Sequence, residues 1–359
     1  MKILCFHPAL APYRVDFFNL LAEKAEVEIL FLQRNLFTQS FNQEALRGRL
    51  KCKYGELLRG FDVRQRCFRF GVLKAIREFG PDVILSYEAS PVTLQLCLLK
   101  KLGILKAEIW TMMDDSPIQV RSRCGMRRVI RDWTVRNVSR VIVPSQSVAT
   151  TYIQVLKSKP QTRFSPIPII HDTATIRRNA TKVYEMGRKW RLEKCPAVWE
   201  RLMLFVGRLA EIKNLPWIID RVAELPETTG FVLVGDGPQE PELKRYVAER
   251  GLSDRVLFAG RKEGDELYSI MAGSDLLALA SKSEPFGAVV AEGLSWGTPC
   301  LVSDNCGAVS LVEDGMNGAV FPSGNAAGFV AAFGRLPARS DSSLLPVELK
   351  DAVAALVAV

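Results

Sequence analysis

Short apolar runs recur along this chain, and between them the apolar residues fall into helical spacing. The runs lie at 2–6, 27–32, 83–85, 108–112 and 141–143, then again at 202–206, 231–234, 256–258, 276–280 and 300–302. Helical patterns fill 15–25, 215–224 and 240–249. A strand that is apolar throughout, rather than at alternate positions, is covered on both faces, which predicts parallel sheets clothed by helices. The fold class is therefore α/β, with two doubly wound Rossmann-like domains. A chain of 359 residues accommodates two such domains at roughly 150 residues each. The expected division is a first domain over 1–175, a polar, Arg-rich linker over 176–200 and a second domain over 201–345. A closing helix over 346–359 is expected to pack back on the first domain. Ligands of such sheets bind outside the carboxyl ends of the strands, so the expected site is a cleft that the two domains face.

Other classes fall away. The best candidate for a membrane span, 94–105, is cut by Lys100 and Lys101, far short of the ~18 apolar residues a span needs. Residues 1–6 are too short for a signal-peptide core and are followed by Arg14 and Asp16. The eight cysteines contain no Cys-x-x-Cys and read as free thiols in a reducing cytosol. With His7 and His171 the only histidines, a histidine-based metal site is not expected.

The second half carries the chemistry. The strand 202–206 runs into Gly207-Arg208-Leu209, with Lys213-Asn214 just before the next helix. A guanidinium fork and an ammonium point charge on one short loop suit a pyrophosphate. The strand 231–234 ends in Gly235-Asp236-Gly237-Pro238, which by itself is a tight turn. After the run 276–280 comes Ser283-Glu284-Pro285-Phe286-Gly287, and Pro285 is expected to open a helix whose N-terminus cradles phosphate. Glu292 then lies about 8–10 Å along that helix. Two carboxylates flanking a phosphate site can accept hydrogen bonds from a sugar at one end and a ribose at the other.

In order, the chain thus holds Gly207-Arg208 with Lys213, Leu233 to Pro238, Gly260, Ser283 to Gly287 with Glu292, Gly297-Thr298-Pro299, and Glu313-Asp314-Gly315 with Asn317-Gly318. This set resembles the nucleotide-sugar half of the retaining family 4 glycosyltransferases, which have the two-Rossmann-domain GT-B architecture. The resemblance is close over about 200–325. It is thinner over 1–200, where Pro12-Tyr13-Arg14, Pro81-Asp82 and 166–172 fit the acceptor-binding half in outline. It implies that Arg208 and Lys213 hold the donor diphosphate and stabilise the leaving charge, and that Glu284 binds hydroxyls of the donor sugar. The amides of Phe286, Gly287 and Ala288 would lie near sugar and phosphate, Glu292 would bind the ribose, and 258–262 with Gly260 would lie beside the base. Gly207 and Gly235 complete the donor side. The nucleoside-diphosphate sugar is a co-substrate, and neither metal nor cofactor is implied. Retention at the anomeric carbon would rest on positioning and leaving-group stabilisation.

The sequence also departs from the family pattern. The loop after the first strand is His7-Pro8-Ala9-Leu10-Ala11-Pro12 in place of a Gly-Gly pair, and the usual histidine after the fifth strand is replaced by Thr111 to Ser116. There Asp114 or Asp115 either supplies a catalytic hydrogen bond or caps the next helix. His7 is either a sugar contact or structural, and His171-Asp172 is expected at a hinge.

Charge is split along the chain. Residues 1–200 hold 34 Lys and Arg against 18 Asp and Glu, a net +16, and the rest is net −7. A helix over 121–140 is expected to gather Arg121, Arg127, Arg128 and Arg131 opposite Met126, Val129, Ile130 and Trp133. With Arg14, these arginines form the expected anionic-acceptor or membrane-facing surface. Arg64, Arg66, Arg69, Lys51 and Lys53 add to it. Simple solvation of the charges remains the alternative, and no nucleic-acid motif is present. The function expected is sugar transfer to an anionic lipid-linked, polysaccharide or lipopolysaccharide acceptor, by a cytoplasmic protein peripheral on the inner face of the cell membrane. The alternatives are a catalytically silent nucleotide-sugar-binding relative and an epimerase of the same fold.

Overall fold

A computed structural model describes residues 1–37, 41–156 and 161–358. It divides into two compact units, Met1–Asp172 with Glu348–Val359, and Thr173–Val347. Among the described residues the first unit holds nine strands: β1 (Lys2–His7), β2 (Glu26–Phe31), β3 (Lys53–Glu56), β4 (Gly60–Val63), β5 (Arg66–Arg69), β6 (Val83–Tyr87), β7 (Glu108–Met112), β8 (Arg140–Val143) and β9 (Arg163–Pro166). Seven of them make one parallel sheet in the order β3-β2-β1-β6-β7-β8-β9, and β4 and β5 form a separate antiparallel hairpin. The second unit holds β10 (Arg201–Val206), β11 (Thr229–Val234), β12 (Val256–Gly260), β13 (Leu276–Leu279), β14 (Cys300–Ser303) and β15 (Gly318–Phe321). These form a parallel sheet in the order β12-β11-β10-β13-β14-β15.

Both sheets are doubly wound, and each reverses its winding direction once: between β1 and β6, and between β10 and β13. Their central strands are apolar and buried throughout, as in Ile3 to Phe6 and Leu276 to Leu279, because helices cover both faces. At each reversal the neighbouring connections leave toward opposite faces, so the sheet edge there is open to a ligand. The loops at the carboxyl ends of β1, β6, β10 and β13 are therefore where chemistry is expected.

Two segments differ from their sequence reading. The stretch 176–200, expected as a linker, contains the helix Ala180–Lys194, which packs in the second unit against the helix Gly264–Gly273. Gly187 and Gly273 meet at the crossing, and a Cβ on Gly187 would stand 2.4 Å from the Ser269 carbonyl oxygen. Its surface charges hide a face that packs through Val183, Tyr184 and the close approach at Gly187. The single helix expected over 121–140 is two, Pro117–Ser122 and Gly125–Arg136, followed directly by β8. The closing helix, Leu349–Val357, belongs to the first unit, where it packs on the helix Pro12–Ala22 and its Leu356 carbonyl accepts from buried Arg140 at 2.8 Å.

Candidate functional site

In the second unit the winding reversal brings three glycine turns and one ion pair together. The Gly207 amide donates to the Val234 carbonyl at 3.0 Å, and the Gly235 amide donates to the Gly260 carbonyl at 2.9 Å. The ends of β10, β11 and β12 are thereby tied side by side. Gly235 has φ +141°, and a Cβ there would stand 1.9 Å from the Gly207 carbonyl oxygen. Only glycine allows this approach.

Lys213 sits on a 3₁₀ turn, Glu211–Lys213, that ends in Asn214 with a left-handed backbone (φ +58°). Its side chain folds back over Gly207 and forms an ion pair with Glu284, which arrives from the loop after β13. Both side chains are largely enclosed, at 20% and 15% exposure. Arg208, on the same turn, is exposed and makes no ion pair among the described residues.

The helix expected to open at Pro285 begins later, at Ala288, with Gly287 as its N-cap at φ +87°. The left-handed turn at Gly287 is what delays it, since the chain must swing round before it can coil. The consequence is a denser cradle: the N–H groups of Phe286, Gly287 and Ala288 donate no hydrogen bond among the described residues. Phe286 is buried, and its carbonyl accepts from the Ala308 amide at 2.5 Å and from the Cys306 thiol at 3.0 Å, which fixes the loop. Burial pushes the Cys306 thiol up to about 12, so it stays neutral. Glu292 lies in the second turn of this helix and is half-buried.

The first unit has a second cluster at its own reversal. A cavity of about 580 Å³ opens there, lined among others by Tyr87, Glu88, Arg66, Arg123, Arg127 and Arg131. Glu88 directly follows β6 and has a left-handed backbone, φ +55°, which is strained for a non-glycine residue. Its carboxylate pairs with Arg131 and accepts from the Asp114 amide at 3.3 Å. Burial pushes the Glu88 carboxyl above its ordinary value, and the Arg131 charge offsets this only in part. Asp115, 2% exposed, takes bonds from Arg123, from Arg131 at 2.6 Å and from the Tyr152 hydroxyl. Burial opposes its charge, but the bonds from Arg123 and the two guanidinium charges outweigh it and hold the carboxyl below the usual range.

Asp114 accepts from buried Arg14 at 2.5 Å and from the Tyr87 hydroxyl at 3.1 Å. Neither aspartate caps the next helix; Ser116 does so, through a capping box with Gln119. His7 closes β1 and lies buried between Phe18 and Tyr87. Its ring nitrogens have no partner of full hydrogen-bond geometry among the described residues. Burial, aided by Arg14 and offset only in part by the Ala9 backbone, lowers His7 to about 3. His171 bonds buried Asp16 at 2.8 Å, which ties it into the first unit.

This corrects the expected basic surface. Arg14 is buried and paired, and Arg131 is wedged between two carboxylates, so neither belongs to an open face. Arg69 is buried as well, bound to Asp62 at 2.7 Å and to the Leu32 carbonyl at 2.8 Å. Arg128 pairs with Asp132 at 3.6 Å, and Arg121 and Arg127 remain exposed on different helices. Met126 and Val129, expected beneath the helix, are exposed. The network of Glu88, Asp115, Arg123 and Tyr152 was not anticipated in these roles. Its one sequence signal is a carboxylate, Glu88, three positions past the apolar run 83–85.

Residues 195–341 match the glycosyl transferases, group 1. The likeness to this family covers that segment, under half of the chain. The chain is 33% identical over 141 residues to an alpha-D-kanosaminyltransferase of Streptomyces kanamyceticus, covering 38% of this chain and 35% of that protein. It is 33% identical over 143 residues to the lipopolysaccharide core biosynthesis glycosyltransferase LpsE of Rhizobium meliloti (strain 1021), covering 40% and 41%. Each match spans well under half of the relative's length. Over whole chains the fold is that of HepE from Anabaena, solved in complex with UDP, at TM-score 0.72 and 18% identity, covering 99% of this chain and 94% of HepE. It is also that of the lipopolysaccharide outer core galactosyltransferase WaaB in its apo form, at TM-score 0.69 and 17% identity, covering 93% and 90%. The group 1 segment thus sits in a GT-B fold, and its two doubly wound sheets are those expected from the sequence.

Proposed function

We propose that this protein is a retaining glycosyltransferase that moves a sugar from a nucleoside diphosphate to an anionic, lipid-linked or polysaccharide acceptor. The observation that carries the reading is the Lys213–Glu284 pair, set over the Gly207 turn beside three unbonded N–H groups at Phe286, Gly287 and Ala288. A donor diphosphate on those N–H groups would draw Lys213 away from Glu284, and Arg208 would reach the phosphates from the same turn. Glu284, released, would accept hydroxyl hydrogen bonds from the sugar. The leaving diphosphate would then be neutralised by Lys213, Arg208 and a helix end, with no call on a divalent ion. Glu292 would take the ribose, and Gly260 would lie beside the base. HepE, solved with UDP-glucose, supports uridine as the base to try first.

The acceptor side is assigned to the first unit, with Asp114 in a catalytic role and Arg127 lining its cavity. The net +16 of residues 1–200 supports an anionic acceptor and a place on the inner face of the membrane. Incubation with UDP-, GDP- and ADP-sugars tests the reading: one of them should be consumed, and Lys213→Ala and Glu284→Ala should abolish most of that consumption. Failure to bind or turn over any nucleotide sugar would sink it. Stoichiometric binding without turnover would leave a nucleotide-sugar-binding protein instead.

A further inference from the structure

The hairpin β4–β5 has two unlike faces. Its register pairs Phe61 with Phe68, Val63 with Arg66, and Asp62 with Cys67. Alternation then sends Phe61, Val63, Arg66 and Phe68 to one side, continued by Phe70. On the opposite side Cys67 and Arg69 are buried, and Arg69 pairs with Asp62 and ties the hairpin to the Leu32 carbonyl. The outward side is bare, with Phe61 at 52%, Val63 at 49%, Phe68 at 38% and Phe70 at 56% exposure. Phe61 stacks on Phe68 with ring centroids 5.0 Å apart, and Phe70 lies 6.1 Å from Phe61, so the rings form one cluster rather than scattered residues.

Around this cluster stand Arg59, Arg64 and Arg66, all exposed and without an ion pair among the described residues. The one carboxylate of the hairpin, Asp62, is taken by Arg69. Arg64 and Gln65 form the tip, both with left-handed backbone (φ +46° and +65°). The exposed apolar area comes to roughly 300–400 Å² at full ring areas of ~200 Å². A stable contact between copies of the chain needs about 800 Å² per partner. Aromatic rings ringed by unpaired arginines suit the boundary between lipid headgroups and acyl chains, where rings insert and guanidinium groups meet phosphate.

We infer that the β4–β5 hairpin seats the first unit on an anionic lipid surface, with Phe61, Phe68 and Phe70 inserted and Arg59, Arg64 and Arg66 on lipid phosphates. This rests on the proposed lipid-linked acceptor, and it gives that reading a geometry. Gln65, Arg66 and Cys67 also line the 580 Å³ cavity, so a seated hairpin holds the cavity mouth at the bilayer surface. The membrane contact moves from the arginines of the helix Gly125–Arg136 to this hairpin.

Flotation with phosphatidylglycerol vesicles, against phosphatidylcholine alone, tests the inference. The unaltered chain should float with the anionic vesicles, and amide exchange at 60–70 should slow when they are added. Phe61→Ser/Phe68→Ser/Phe70→Ser should weaken binding at least a hundredfold. Arg64→Gln/Arg66→Gln should weaken it about fivefold per arginine, and the deficit should shrink in high salt. Unchanged flotation of the triple variant would overturn the inference, as would exchange at 60–70 that ignores vesicles. So would a dimer of the unaltered chain that the triple variant dissociates, since a second copy would then own the face. The exchange measurement uses the unaltered chain and does not depend on any variant folding. Consumption of nucleotide sugar is read separately: flotation without consumption faults the transferase reading, and consumption without flotation faults the hairpin.

Discussion

The two winding reversals of this molecule solve the same geometric problem with opposite materials. Between β10 and β13 the site is made mainly of backbone: glycine turns, unbonded amides and one largely enclosed ion pair. Between β1 and β6 it is made of charged side chains, with Glu88, Asp114 and Asp115 each held by at least one arginine. The difference teaches where charge is structural and where it is available. An arginine wedged between two carboxylates stabilises the fold and is spoken for. A lysine paired with a single carboxylate over a glycine turn can exchange that partner for a phosphate.

That contrast can be broken by substitution. Arg131→Met leaves Asp115 and Glu88 short of a partner in low dielectric, and thermal or urea unfolding should show a loss of about 3–5 kcal/mol. If Arg131→Met is as stable as the parent, the first site is not the rigid one. Lys213→Met should do the reverse. Sugar-nucleotide turnover should drop about 10²–10³-fold, with a smaller stability loss than for Arg131→Met, since one carboxylate rather than two loses its partner. A large stability loss with unchanged turnover would make the pair structural.

His7→Phe sharpens the comparison through pH. Below about pH 6.5 the unfolded chain protonates this histidine, while the folded chain holds it neutral down to about 3. The unfolded state therefore binds more protons in that window, and stability falls as pH falls, by up to about 1.4 kcal/mol per pH unit. The Phe variant should lose this part of the acid slope, measured by urea midpoints between pH 7 and pH 4; an unchanged slope would show that His7 is not its source. Gly235→Ala, which forces a Cβ onto the Gly207 carbonyl, should cost about 1–3 kcal/mol of stability. It should also weaken nucleotide binding measured by calorimetry. Arg121→Gln/Arg128→Gln should do least, with stability within about 0.5 kcal/mol of the parent and turnover unaffected. A marked effect there would restore the helix surface read from sequence.

The same contrast governs what could be seen before the structure. Glycines and strand ends announce themselves, because a backbone that must turn sharply or approach closely admits one residue type. Gly207 and Gly235 were legible for that reason, Gly260 and Gly287 came with the family resemblance, and ten strands were placed from apolar runs alone. Arginine is ambiguous, since the same residue covers a surface or fills a buried ion pair. Arg14, Arg69 and Arg131 read as surface because their partners, Asp114, Asp62, Glu88 and Asp115, are brought in by tertiary folding; for Arg14 the partner is a hundred positions away. The hairpin β4–β5 was missed because its strands are half polar and its turn, Arg64-Gln65, carries no glycine. The helix Ala180–Lys194 was read as a linker because its contact depends on Gly187, a residue that lowers helix propensity.

One feature of the chain path bears on how the molecule is made. The first unit is completed by Leu349–Val357, whose Leu356 carbonyl satisfies buried Arg140. During synthesis the ribosome must deliver all of Thr173–Val347 before that helix exists. The sheet β1 to β9 therefore emerges first yet is finished last, with the face of the helix Pro12–Ala22 uncovered while the second unit folds downstream. Nascent chains stalled at residue 172 should be more easily cleaved by protease in the first unit than released full-length protein.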